Sequence, residues 1–129
     1  MKSLLLKLLS ILIIWISPIA DALLGIGILI FLDLSMGLIA AYKLKIPITS
    51  SRLKNTGVKL LVYNLLVISA FVAESKLAPL IPFINICTFF IATIEITSIS
   101  ENFEKITGLP FLKFIKDKLN DRLNNKDQK

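Results

Sequence analysis

Four apolar runs take up most of this chain, at residues 4–20, 22–42, 58–74 and 80–100. A helix needs about 20 residues, and at least about 17, to cross a hydrocarbon core of about 30 Å. All four runs reach that range. Lipid offers no partner for backbone N–H and C=O groups, so a spanning segment must satisfy them internally, as a helix does. The runs therefore predict an all-α integral membrane protein with four transmembrane helices. Composition agrees, since 55% of the 129 residues are hydrophobic and the mean hydropathy is +0.78. A soluble domain of this size needs far more polar surface to cover itself.

Between the runs the chain is basic. Two of its 15 Lys and Arg lie near the N-terminus, five in the segment 43–59 and seven from residue 101 onward. Four spans with both termini cytoplasmic put fourteen of the 15 on the cytoplasmic side, in line with the positive-inside rule. The net charge of +6 thus bears on topology and does not argue for nucleic acid. The first run has a second reading. Met1–Lys2, the apolar core and Ala20-Asp21-Ala22 have the form of a cleavable signal peptide, which would leave three spans. Cys87 is the single cysteine, so there is no disulfide framework. The chain has no histidine, and so lacks the usual general base and the commonest metal ligand.

Two acids lie at mid-depth. Asp33 is in the second run, where Gly25, Leu29, Asp33, Gly37 and Ala41 recur at every fourth position. Gly37 and Ala41 form a small-xxx-small pair, which lets helix backbones approach closely in lipid. Glu95 is in the fourth run, on a stripe of Asn85, Thr88, Ala92, Glu95, Ile99 and Asn102 with alternating steps of three and four residues. Phe83, Ile84, Phe89, Phe90, Ile91, Ile94 and Ile96 are expected on the opposite, lipid-facing surface. A carboxylate at the bilayer centre costs about 2.5–3.5 kcal/mol on insertion scales, so it faces protein or water. Two uses follow. Asp33, Gly37, Ala41, Asn85, Thr88 and Glu95 line an interface or opening shared between copies, or the acids are satisfied within the chain, with Glu95 paired to Lys59 or Lys43.

Residues 43–59 read as a polar loop punctuated by Pro47 and Gly57, with Ser50 or Ser51 placed to cap a short helix. The fourth helix is expected to run from about Leu80 to Thr107, with Gly108 closing it and Pro110 at the start of another. The chain then divides into a transmembrane part, 1–109, and an amphipathic cytoplasmic tail, 110–129. Phe111, Leu112, Ile115, Leu119 and Leu123 form one side of that tail. No GxSxG, P-loop, HExxH or Cys/His metal spacing is present, so no catalytic, cofactor or metal residues are expected. A small four-span proton-coupled transporter would carry its embedded acid in the first span, and this first span has none.

From Glu95 onward the chain reads E-x-x-S-I-x-E-N and then G-x-P, formed by Glu95, Ser98, Ile99, Glu101, Asn102, Gly108 and Pro110. This cluster resembles the bacteriophage holin family of the toxin-secretion and phage-lysis type. Asp33, Gly37, Ala40, Ala41, Lys43, Lys45, Ser51, Gly57 and Lys59 are similar to that family's second span and following loop. The resemblance covers residues 30–115, with a spacing from Asn102 to Gly108 one residue longer than usual. It implies a multi-pass protein of the bacterial (host) cytoplasmic membrane that forms homo-oligomers in the lipid bilayer and opens lesions. Its functional partner would be an endolysin, a cell-wall hydrolase that escapes through the lesion without needing direct contact. An antiholin or another regulatory membrane protein would carry the same features.

Overall fold

The computed structural model describes the backbone of residues 2–124 and the side chains of residues 3–121. Among these residues there is helix and no strand. The helices are α1 (Lys2–Ile16), α2 (Ala20–Lys43), α3 (Ser50–Val72), α4 (Phe83–Thr107) and α5 (Phe111–Asn124). α2, α3 and α4 pack together around Ile26, Ile30, Val67 and Ile91, and Ile19 joins this core. The outer surface of the same helices is also apolar, with Phe31, Leu61 and Phe89 exposed. Such a surface suits lipid, since large contiguous apolar patches are rare on soluble monomers. Three stretches are long and apolar enough to cross a membrane: Ser3–Lys43, Ser50–Leu77 and Phe83–Thr107.

The two runs expected at 4–20 and 22–42 are not separated by a loop. A 3₁₀ turn, Ser17–Ile19, joins α1 to α2, with Pro18 in its first positions, where the missing N–H costs nothing. The joined stretch of 41 residues is about 60 Å long, twice the hydrocarbon core. α2 alone, at 24 residues, already reaches about 36 Å. α1 is exposed along its length and meets the bundle only near its end. There Trp15 stands edge-on to Phe71, with ring centroids 5.1 Å apart, and Ile16 packs against the core.

The polar loop is shorter than the expected 43–59. α3 begins at Ser50, preceded by Thr49 without a side-chain cap, so Arg52, Lys54 and Lys59 ride on the helix. The weakest helix former over that stretch is Gly57, and one exposed glycine costs about 1 kcal/mol. The far end of α3 widens into a π-helical turn, Ala73–Leu77. From it Glu74 accepts a hydrogen bond at 2.9 Å from the Ile84 N–H, one of the unpaired amides in the first turn of α4. α4 starts at Phe83, later than Leu80, because Pro79 and Pro82 hold the connecting turn extended.

The lipid-facing surface expected of α4 needs one correction. Ile91 is buried and Ile84 packs against the core. Ile91 lies one turn before Glu95 and therefore shares its inward face. The expected tail 110–129 runs past the described residues, which also leave out the side chain of Leu123.

α4 ends as expected at Gly108, which has a left-handed φ of 76° and donates its N–H to Glu104 O at 2.7 Å. A side chain there is strained, so Gly108→Ala is expected to lower stability by about 1–2 kcal/mol. Gly25 has open space around its Cα. Gly25→Ala is expected to raise stability by about 0.5 kcal/mol. Reversible unfolding in detergent micelles checks both changes.

Candidate functional site

The inward faces of α2, α3 and α4 meet in a polar network built around Lys59. On α2, Asp33, Gly37 and Ala41 share a face by their spacing of four. On α3, Lys59 and Tyr63 share a face for the same reason, and on α4 Ile91, Glu95, Ser98 and Asn102 follow steps of four, three and four. Lys59 Nζ lies 2.9 Å from Asp33 Oδ2 and 3.0 Å from Glu95 Oε1. Tyr63 donates its hydroxyl to Glu95 Oε1 at 3.1 Å. Ser98 donates to Asp33 Oδ1 at 2.6 Å, and Asn102 Nδ2 donates to the same oxygen at 3.2 Å. Each acid is thus held by a shared ammonium and by neutral donors from a neighbouring helix.

Burial grades across the network. The side chain of Glu95 is 0% exposed, that of Asp33 15% and that of Lys59 33%. The difference is a polar cavity of about 220 Å³ lined by Asp33, Gly37, Arg52, Asn55, Lys59 and Asn102. Arg52 donates from Nη1 to the Gly37 carbonyl at 2.8 Å. Asp33, Arg52 and Lys59 are the charged groups at this cavity, and Lys59 also holds Glu95, which is buried away from it. Buried charges in low dielectric are tolerated when they are paired and hydrogen-bonded. Among the described residues no cluster has the ligands of a metal site.

The bacteriophage holin family matches this chain over residues 10–124. The chain belongs to the bacteriophage holin family. Neither a curated protein nor a solved structure matches it. The family is one of membrane pore formers and not of enzymes. Its match is wider than the residues 30–115 that carry the resemblance in sequence, and takes in the end of α1 and all of α5. This holin is a membrane protein by its family and by its apolar helices.

The structure brings Asp33, Glu95, Ser98 and Asn102 together, with Gly37 beside them. Ala41 is buried one turn beyond Gly37, so within the single chain this pair packs against neighbouring helices. Two residues of the α4 stripe stand apart. Asn85 is exposed near the far end, and the hydroxyl of half-buried Thr88 is satisfied by Ile84 O of its own helix at 2.8 Å. In the family-like motif, Ile99 is half-buried, Glu101 is exposed, Gly108 closes α4 and Pro110 precedes α5. Of the two cations considered as partners, Lys59 holds Glu95. Lys43 instead donates to the carbonyl of Ile106, an unpaired acceptor in the last turn of α4. Arg52 and Tyr63 are site residues that sequence reasoning missed. Helical periodicity carried back from Val67 through Tyr63 to Lys59 would have pointed to Tyr63.

Removing Lys59 leaves two facing carboxylates without their shared cation. Lys59→Met is expected to destabilise the fold by about 3 kcal/mol, the lower end for a broken buried pair because the lysine is partly exposed. Ser98→Ala should cost about 1 kcal/mol, and Asn85→Ala within about 0.5 kcal/mol. Unfolding in detergent micelles ranks the three.

Proposed function

We propose that this chain is a lesion-forming holin of the bacterial cytoplasmic membrane. It accumulates as closed bundles, oligomerises, and then opens so that an endolysin reaches the cell wall. The single observation that carries this reading is the complete burial of Glu95 in a network whose partners all come from other helices. Separating α4 from α2 and α3 breaks every bond to Glu95 and takes Ser98 and Asn102 from Asp33, which keeps Lys59. The released Glu95 then needs water, and several copies that turn these faces toward one opening provide it. Dispersed chains stay closed because the network neutralises itself. Membrane potential biases the step, since moving one charge across the field is worth about 2.3 kcal/mol per 100 mV.

The topology that fits this role has four spans and cytoplasmic termini. α1 is apolar all round and too far from the bundle to be buried in it, so lipid must cover it. The 3₁₀ turn at Pro18 is the one interruption in the joined stretch, and four spans require α1 to fold back there. Retention of this run is favoured by Ile19, which is 1% exposed in the core and would be lost on cleavage at Ala22. The basic end of α2 and the start of α3 then face the cytoplasm, together with α5 as an amphipathic tail.

Expression of the chain alone in a bacterium, with membrane potential and culture density followed before and after an endolysin is supplied, tests the reading. Abrupt depolarisation and endolysin-dependent lysis are expected. Glu95→Gln and Asp33→Asn weaken the closed network and should advance the onset of lysis. Stable growth with the protein present in the membrane would instead identify an antiholin or a transporter. Lysis on an unchanged schedule by both variants would remove the network from the trigger.

A further inference from the structure

α5 leaves an apolar face uncovered at the end of the bundle. Phe111, Leu112, Ile115 and Leu119 are between 38% and 56% exposed. At about 100° per residue these four fall within one arc of the helix. Lys116 and Lys118 border that arc on its two sides, while Lys113, Asp117 and Asp121 lie on the back. All three lysines are exposed, and Lys118 stands 5.9 Å from the centroid of the Phe114 ring. α5 is also held in place. The left-handed Gly108 turns the chain, and Phe111 meets Phe103 of α4 edge-on with centroids 5.7 Å apart. Inside this elbow is a largely apolar notch of about 520 Å³ between Phe103, Leu109, Pro110, Phe111 and Phe114, edged by Lys113 and Asp117.

Two features say what covers the face. The first is continuity: α4 crosses lipid, and only Gly108, Leu109 and Pro110 separate it from α5. The second is charge. The end of the bundle where Lys43 reaches Ile106 also carries Lys45, Arg52, Lys54 and Lys105 against Glu101 and Glu104, and so is basic, whereas the opposite end carries Asp21, Glu74 and Lys76. An apolar arc edged by cations with acids behind it complements a surface that is apolar below and anionic at its plane.

We propose that α5 lies in the headgroup plane of the leaflet that α4 leaves, its apolar arc at the acyl boundary and Lys116 and Lys118 on the phosphates of anionic phospholipids. This goes beyond lesion formation and stands or falls apart from it. The test uses the full chain carrying Cys87→Ala, with a polarity-sensitive fluorophore on Leu119→Cys or on Asp121→Cys. Each protein is reconstituted into vesicles of phosphatidylcholine or of an equal mixture of phosphatidylcholine and phosphatidylglycerol. The probe at 119 is expected to shift to the blue in the anionic vesicles and to be quenched by lipids spin-labelled on the acyl chain. The probe at 121 stays in water. K116Q/K118Q is expected to lower the ratio of docked to free α5 about thirty-fold, and K116R/K118R to restore it. Equal shifts in both vesicles overturn the proposal, as does the absence of any shift. A shift that rises with the protein-to-lipid ratio also overturns it, because α5 then pairs with a second copy.

Discussion

A carboxylate cannot remain charged in hydrocarbon without a partner, and this chain has one at mid-span on each of two helices. Lys59 resolves both at once. A single ammonium between Asp33 and Glu95 fixes α3 against α2 and α4, and the hydroxyls of Tyr63 and Ser98 with the Asn102 amide take up the remaining oxygens. In water such an arrangement adds little stability, because each charge gives up good hydration. In a membrane no hydration is on offer for an unpaired acid, so the network decides which helix faces turn inward. The apolar contacts of Ile26, Ile30, Val67 and Ile91 follow from that orientation, since they sit one to two turns away on the same faces.

The network also explains why small residues lie where they do. Gly37 leaves room for Asn102 and Arg52, whose nitrogens lie 3.5 Å and 3.7 Å from the point a Cβ would occupy. The carbonyl of Gly37 is thereby open to the Arg52 guanidinium. Arg52 and Lys59 are two turns apart on α3, and both reach the cavity beside Asp33. The interior of the bundle is therefore polar toward one end and apolar toward the other. Such a gradient lets water approach Lys59 while Glu95 stays dry.

Much of this was legible in sequence, and the reasons are local. The stripe that contains Glu95 and Asn102 follows the helical period, so its inward orientation could be read directly. Gly108 stood out as a helix terminator because a glycine after a periodic run suits the left-handed conformation. Other features were not local. Lys59 and Arg52 looked like loop residues because basic residues near a span end usually serve topology. Ile91 looked lipid-facing because isoleucine suits lipid and core equally well. Pro18 looked like the end of a helix, yet one 3₁₀ turn carries the helical path through it.

The sequence by itself determined that this is a helical membrane protein with two embedded acids, because apolar run length and helical period are properties of neighbouring residues. Its family could be read there too, from the spacing of Glu95, Ser98 and Asn102. Only the tertiary structure decided which cation answers those acids. Lys43 and Lys59 carry the same charge and both lie near span ends, but the α3 face carries Lys59 inward beside Tyr63, whereas Lys43 binds the end of α4 instead. That choice depends on how three helices are rotated about their axes, which no single segment encodes.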